Sequence, residues 1–272
     1  LLHWIGQEGQ VRTFVSIAKD IGASEKTVRN AFNDFVQRLE SMVHIRTPAF
    51  MALVEVAALD KKDRIAVINT HARTLVDLLP GPAAIGDYFC KLRDRQLVQF
   101  VATGLSREIY DAAASHLSAA VVFIDKPPVL ALVDAALESV RTGMPAGHRQ
   151  RMHPQRRRDL AKDREILLRP PHAQDAQDRS VLAQWCDQNP LLGEARQVWE
   201  AVHAIYAETV SPEVAAERMD SIVDGLSPDL RPSLQELVQA WASWRQPMLN
   251  YFRPGATQAS AVPHAPAPIT AM

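Results

Sequence analysis

The sequence has few cysteines, no long apolar run and almost no net charge, and each absence excludes a class of protein. Its two cysteines, Cys90 and Cys186, lie far apart and form no Cys-x-x-Cys pair, which argues against a disulfide framework and against a zinc site. No apolar run reaches the length of a membrane-spanning helix. The formal net charge is −1, so any binding to nucleic acid must come from local patches. A reducing cytoplasm is the simplest interpretation of this composition.

The composition that remains is typical of a globular protein. Of the 272 residues, 47% are hydrophobic and 22% are charged, which suits one or two full domains plus a small one. Because the chain begins with Leu1 rather than methionine, we expect it to be part of a longer protein.

The stretch from Phe14 to Leu39 predicts a helix, a tight turn and a second helix. Gly22 suits a turn that needs a positive φ. Ser24 occupies an N-cap position, and Glu25 lies in the first turn of the second helix, where the helix dipole favours a carboxylate. Apolar side chains recur at helical spacing in both helices, namely Ile17, Ala18, Ile21, Val28, Ala31, Phe32 and Phe35.

This pattern is that of a helix-turn-helix, whose second helix enters the major groove of DNA. Arg29 can pair with guanine and Asn30 with adenine, because each side chain can make two hydrogen bonds to that base. Thr27 or Ser24 can hold a phosphate. The predicted DNA-binding residues are therefore Ser24, Glu25, Lys26, Thr27, Arg29 and Asn30. The alternative is an ordinary helical hairpin whose polar residues are simply solvated.

The middle of the chain predicts a mixed α/β core over residues 46–142. Three short segments rich in β-branched residues predict an antiparallel meander, at 51–59, 64–70 and 74–79. Helices at 82–95, 106–116 and 129–141 then alternate with strands at 97–102 and 120–125. Strand–helix–strand–helix order implies parallel pairing with right-handed crossovers. Three antiparallel strands followed by this alternation is the order of a ribonuclease-H-like core.

After residue 142 the pattern becomes basic and then helical. The stretch 143–158 carries backbone-contact candidates for a nucleic acid, although a solvated basic loop is an equal alternative; they are Arg149, Arg151, Arg156, Arg157 and Arg158. From Asp159 to Phe252 we expect helices throughout. The last residues, 253–272, are rich in proline, alanine and serine and predict a disordered tail. The predicted domains are thus a helix-turn-helix at 1–45, the core at 46–142, a basic loop with a helical region at 143–252, and the tail.

Several segments together resemble the ISL3 family of bacterial insertion-sequence transposases. They are TVRNAFNDF, TLVDLLPG, LVQFVATGLSREIYDAA, AAVVFIDK, ALESVRTGM, DREILLR and WRQPMLNYF. The resemblance runs through nearly the whole chain, and the last segment is the most specific. It implies DNA transposition by a DDE mechanism, in which three carboxylates hold two metal ions such as Mg²⁺.

The resemblance also implies where the three acids belong, and this chain has none of them there. The family's first aspartate corresponds to Val54, its second to Gly104, and its glutamate to Val262. The family's Asp-Lys-Phe-His is present here only as Asp125-Lys126, followed by two prolines. The candidates for substitute acids are Glu55, Asp60, Glu108 and Asp125, but Glu55 follows Val54 in a strand and so belongs to the opposite face.

The sequence therefore predicts a DNA-binding transposase homologue of an insertion element that is catalytically impaired as it stands. No intact catalytic residue, no metal ligand and no cofactor are expected; its partner is double-stranded DNA, at the terminal repeats of the element. A non-cutting DNA-binding regulator or inhibitor at element ends is the alternative, and a competent transposase with other acids or a non-functional remnant are further ones. We expect a homo-oligomer, no membrane association, and a location in the bacterial cytoplasm at the nucleoid.

Overall fold

The computed structural model describes residues 1–42, 47–57, 63–143, 164–208 and 210–261. It divides into two compact units, Leu1–Arg46 and Thr47–Met272. The sheet and the C-terminal helices belong to the same unit, because they share one hydrophobic cluster. The boundary that composition predicts near residue 142 therefore separates two regions of one folded unit.

The first unit consists of helices α1 (Leu2–Glu8), α2 (Phe14–Ile21) and α3 (Glu25–Met42). Gly22 ends α2 with φ of 65°, as the sequence predicts, and Ser24 Oγ accepts a hydrogen bond from the Thr27 N–H at 3.1 Å. The interior is built from Ile5, Ile17, Ala18 and Val28. Helices α1 and α3 approach closely, since a Cβ built on Gly6 would lie 2.2 Å from the ring of Phe35.

The second unit contains a five-stranded mixed sheet in the order β3-β2-β1-β4-β5. Strands β1 (Phe50–Ala57), β2 (Asp63–Asn69) and β3 (Thr74–Leu79) are antiparallel to each other. Strands β4 (Phe100–Thr103) and β5 (Val121–Ile124) are parallel to β1. The predicted meander and parallel pairs are confirmed, and the arrangement is consistent with a ribonuclease-H-like core.

Helices surround this sheet and complete the unit. They are α4 (Ala84–Lys91), α5 (Arg107–His116), α6 (Lys126–Thr142), α7 (Ala176–Gln188), α8 (Pro190–Ala207), α9 (Pro212–Asp224) and α10 (Gln235–Leu249). Residue Trp244 departs from helical geometry inside α10, three residues before Pro247. A kink at this place is expected, because proline cannot donate the backbone hydrogen bond and clashes with the preceding turn. Among the described residues, no helix is long and apolar enough to cross a membrane.

The two faces of the sheet bury different residues, because side chains alternate along a strand. On one face Met51 and Leu53 of β1 pack with Phe89 of α4. On the other face Ala52 of β1, Ala102 of β4 and Phe123 of β5 pack with the C-terminal helices. Val54 also packs on this second face.

Some predicted boundaries are wrong. The strand predicted from Leu97 begins only at Phe100, because residues Arg95–Leu97 form a short 3-10 helix with an exposed Leu97. Helix α6 begins at Lys126 rather than Val129, since prolines fit the first turn of a helix. The last long helix begins at Gln235 rather than Pro232. Residues 253–261, predicted to start a disordered tail, are ordered: Ala256–Ala259 forms a 3-10 helix with Ala256 and Ala259 fully buried.

Candidate functional site

The register of the parallel strands aligns three of the positions that the sequence singles out. Ala52 of β1 pairs with Ala102 of β4, which in turn pairs with Phe123 of β5. Two residues further along each strand are Val54, Gly104 and Asp125. These positions therefore form a row across the carboxyl ends of the parallel strands, on the face that packs against the C-terminal helices.

A cleft of about 440 Å³ opens at this row, and all three residues line it. The same sheet edge supports ligand sites in many open α/β sheets. Here the lining is largely apolar, and the carboxylates among the lining residues are those of Glu55 and Asp125. The full lining is Ala52, Leu53, Val54, Glu55, Ala102, Thr103, Gly104, Ile109, Asp125, Pro127, Pro128, Ala131 and Ala261.

Asp125 is the acid best placed in the cleft, but its carboxylate is already occupied by hydrogen bonds. Its Oδ1 accepts from the Lys126 N–H at 2.8 Å and from Ser260 Oγ at 2.7 Å, and its Oδ2 accepts from the Ala261 N–H at 2.9 Å. The residue is only 5% exposed. It serves as the N-cap of α6 and at the same time holds the C-terminal segment.

The segment Gly255–Ala261, which we call the C-terminal segment, runs along the sheet towards this cleft. At its start, a Cβ on Gly255 would lie 3.1 Å from the ring of Phe100. Near its middle, the Gln258 carbonyl accepts a hydrogen bond from Thr70 Oγ1 at 2.6 Å. At its end Ala261 lines the cleft. This segment could not be predicted from the sequence, because its small residues, with prolines on either side, predict disorder and no local pattern shows that it returns to β5.

The sequence segment WRQPMLNYF holds the chain on β5 just before the C-terminal segment begins. Asn250 donates from Nδ2 to the Val122 carbonyl of β5 at 3.1 Å, and its Oδ1 accepts from Gln246 at 3.1 Å. The ring of Tyr251 packs edge-on against Phe123. At the other end of the segment, Trp244 is covered by the guanidinium of Arg107, 3.9 Å from its ring centroid. These contacts fasten the last helix to β5 and to the start of α5.

The cleft does not fit the two-metal site that a DDE mechanism requires. A valine side chain has no ligand atom, glycine has no side chain, and hard cations such as Mg²⁺ need oxygen ligands. Glu55 is exposed and belongs to the strand positions of the opposite face, while Glu108 is exposed on α5. Within the described ranges, no three His, Cys, Asp or Glu side chains are grouped as a metal ion would need.

The predicted DNA-binding residues lie at the start of α3, and all six are exposed. Ser24 and Thr27 cap the helix, with their hydroxyl oxygens 2.8 Å apart. Arg29 pairs with Glu25 at 2.5 Å, and its guanidinium lies 5.5 Å from the ring centroid of Phe14. An exposed pair at this helical spacing is worth only about 0.3–0.5 kcal/mol, so Arg29 can exchange it for another partner.

Other predicted residues lie outside the described part of the chain. They are Asp60, the third family position Val262, and the basic residues Arg149, Arg151, Arg156, Arg157 and Arg158. Of the third position, the structure describes only the preceding residue, Ala261, which lines the cleft.

Comparison with known proteins identifies the family. No match was found among curated proteins or among solved structures. The model of the DDE-type ISL3 transposase family, described as a transposase, matches residues 55–261, which is more than half of the 272-residue chain. This match covers the sheet from Glu55 onward and the helices up to the C-terminal segment. The chain therefore belongs to the ISL3 family of DDE transposases.

Proposed function

We propose that this protein is a DNA-binding transposase homologue of an insertion element that does not itself carry out DNA strand transfer. Family membership supports the transposase origin. The observation that supports the loss of chemistry is the row at the cleft, where Val54 and Gly104, the positions to which the resemblance assigns the first two acids, line the same cavity as Asp125. Such a protein would act in the bacterial cytoplasm, at the nucleoid.

The first unit supplies the proposed DNA contact. Its third helix, α3, begins with a satisfied cap, and it presents Lys26, Arg29 and Asn30 on an exposed surface. In this proposal α3 enters the major groove, Arg29 reads guanine, Asn30 reads adenine, and the hydroxyls of Ser24 and Thr27 lie near phosphates. The DNA is double-stranded and carries the terminal repeats of the element.

Selection of bound sequences from a random DNA pool, in the presence of EDTA, tests this contact. We expect an enriched motif that disappears with Arg29→Ala, at a cost of about 1–3 kcal/mol at one base position. Arg29→Lys keeps the charge but cannot make the bidentate hydrogen bonds to guanine. It should therefore lose less affinity for DNA in general than preference for the selected motif. Arg93→Ala, which removes an exposed arginine of the other unit, is the matched control. Enrichment no greater than a salt-sensitive background would contradict DNA reading by α3.

A cleavage assay tests the loss of chemistry. Supercoiled DNA carrying the selected motif, incubated with Mg²⁺ or Mn²⁺, should not be nicked above the background of a buffer control. Metal-dependent nicking that co-purifies with the chain, and that is lost with Asp125→Asn, would instead establish a competent transposase with a rearranged set of acids.

The alternative function is that of a regulator that occupies element ends without cutting them. Two observations favour this alternative. The capped start of α3 is intact, and the cleft has valine and glycine, not carboxylates, at positions 54 and 104. A regulator should protect the selected DNA from an active transposase of the family in a competition assay. A chain that binds but gives no protection would favour a remnant that retains only its DNA contact.

A further inference from the structure

We infer that Asp125 is a positioning residue, whose carboxylate fixes the C-terminal segment and so holds Ala261, the residue before the proposed third acid position, at the cleft. The inference deepens the proposed function and rests on it, because position 262 matters only in a transposase-type cleft. The place of Asp125 at the end of β5 first suggests a substitute catalytic acid. The inference gives this residue a positioning role instead.

The first argument is the geometry of the carboxylate. Its two oxygens accept from different parts of the chain, with Lys126 and Ser260 on Oδ1 and Ala261 on Oδ2. Hydrogen bonds to an ionised acceptor are about twice as strong as neutral ones. One short side chain therefore joins the start of α6 to a segment that is 135 residues later in the chain.

The second argument is that the same strand also holds the chain just before the C-terminal segment. Asn250 is bonded to the carbonyl of Val122, three residues before Asp125. Between Asn250 and Ser260, Ala256 and Ala259 are fully buried against the sheet. The chain is thus attached to β5 before the C-terminal segment, packed in the middle of it and bonded to Asp125 at its end.

The third argument is that few lone pairs of Asp125 remain for the competing role of a metal ligand. A carboxylate has about four lone-pair sites, and those of Asp125 already accept two hydrogen bonds on Oδ1 and one on Oδ2. The residue is 5% exposed, so at most one lone pair, on Oδ2, is left for a cation. To bind a cation with both oxygens, Asp125 would have to release Lys126 or Ser260, and loss of the Ser260 contact would free the end of the C-terminal segment.

Amide hydrogen exchange on the intact chain tests the inference. In Asp125→Asn, one backbone N–H, that of Ala261 or of Lys126, must face an amide nitrogen instead of an oxygen. Asparagine is a good N-cap, so α6 should keep its start. We expect exchange in Gly255–Ala261 to become about ten-fold faster, as the loss of one hydrogen bond implies. The matched control is Asp175→Asn, which alters the N-cap of α7, a residue that does not line the cleft.

The second variant is Ser260→Ala, which removes one donor and leaves the acid in place. It should also accelerate exchange in the C-terminal segment, and it keeps the test decisive if Asp125→Asn fails to fold. Acceleration confined to that segment in both variants would support the positioning role. Unchanged exchange in Ser260→Ala, or equal acceleration in the Asp175→Asn control, would overturn it.

A cation titration separates positioning from ligation. In a chain carrying Val54→Asp, Gly104→Asp and Val262→Glu, calorimetry with Mn²⁺ alone measures the restored site. A positioning role predicts that Ser260→Ala weakens Mn²⁺ binding by about ten-fold, as outer-sphere variants of metal sites do. Unchanged or tighter binding would show Asp125 acting as a ligand and would overturn the inference. Failure of the restored chain to bind Mn²⁺ would count against the proposed family positions, while the exchange experiment would still decide the role of Asp125.

Discussion

Single residues decide what the cleft can do. Val54, Gly104 and Asp125 each lie two residues after paired residues of three neighbouring strands. Of the three, only Asp125 carries a charge, and its carboxylate accepts hydrogen bonds from the protein. A side chain can start from position 104, since the nearest atom to a Cβ built on Gly104 is Cγ of Pro128, at 4.0 Å. The backbone at this position therefore does not itself require glycine.

The first prediction concerns the two positions, 54 and 104, to which the family resemblance assigns acids. Val54→Asp together with Gly104→Asp should lower the melting temperature in the absence of metal, because three like charges then share one apolar cleft. A loss of about 1–3 kcal/mol corresponds to roughly 2–4 °C for each kcal/mol in a unit of this size. Differential scanning calorimetry in EDTA measures it, with Val54→Asn plus Gly104→Asn as the uncharged control. A rise in melting temperature would contradict the placement of the site.

The second prediction concerns acid stability at the contact between α6 and α8. Asp134 accepts hydrogen bonds from Trp199 Nε1 at 2.6 Å and pairs with His203 at 3.3 Å. Burial raises the pKa of Asp134, but the hydrogen bonds from His203 and Trp199 together lower it further, so its pKa lies below the ordinary 3.8. A carboxyl with a lowered pKa stabilises the fold above its unfolded pKa and loses this contribution as pH falls through the folded value.

Asp134→Asn should therefore reduce stability at neutral pH and flatten the fall of melting temperature below about pH 4. Melting curves between neutral and strongly acidic pH, with Asp229→Asn as an exposed control, measure this difference. An acid transition of unchanged steepness in Asp134→Asn would show that this carboxylate does not couple stability to pH.

At the scale of elements, the C-terminal segment is the part of the fold that depends most on tertiary structure. Gly255 starts it with φ of 91°, a left-handed conformation that strains a residue with a Cβ. The ring of Phe100 limits the space on the same side. A single glycine thus permits the turn that directs the chain from the last helix back to the cleft.

The third prediction follows from this turn. Gly255→Ala should destabilise the second unit by about 1–2 kcal/mol and should open the C-terminal segment to limited proteolysis. Gly193→Ala is the contrasting variant, because Gly193 lies inside α8 and its Cβ would meet only Cys186, at an ordinary distance of 3.4 Å. That variant should be neutral or stabilising by up to about 1 kcal/mol. Equal effects of the two substitutions would contradict the role of the left-handed turn.

The order of the helices and strands could be predicted from the sequence, whereas the return of the C-terminal segment to the cleft could not. Apolar runs such as VVFI show buried strands directly, and Gly22 and Ser24 give a turn and a cap by local chemistry. Family resemblance pointed to Val54 and Gly104, and their alignment follows from the register. Ser260 could not be found in this way, because its contact with Asp125 depends on the whole path of the last helix and the segment after it.

On the scale of the whole molecule, electrostatics limits how DNA can be held. With a formal net charge of −1, the chain has no overall attraction for a polyanion, so affinity must come from a local surface. Each phosphate neutralised contributes about −0.9 to the slope of log affinity against log salt concentration. The exposed cations at the start of α3 and the arginines of the stretch 143–158 are therefore the expected sources of the salt dependence.

The fourth prediction distinguishes phosphate contact from base reading within that surface. Lys26→Ala should weaken binding about equally for selected and random DNA, and should reduce the magnitude of the salt slope by about one. Arg29→Ala should instead lose the preference for the selected motif. Fluorescence anisotropy over a range of salt concentrations, in EDTA, measures both quantities. A change in specificity with Lys26→Ala would mean that this lysine also contacts bases.

The open space at Gly104 has a consequence for mutation of this gene. A glycine or valine codon that ends in T or C becomes an aspartate codon by one base change, and a Cβ at position 104 would meet no atom closer than Cγ of Pro128, at 4.0 Å. Under the proposed function, two point mutations are therefore enough to place aspartates at positions 54 and 104, and a copy of this kind stays only that far from a more acidic cleft.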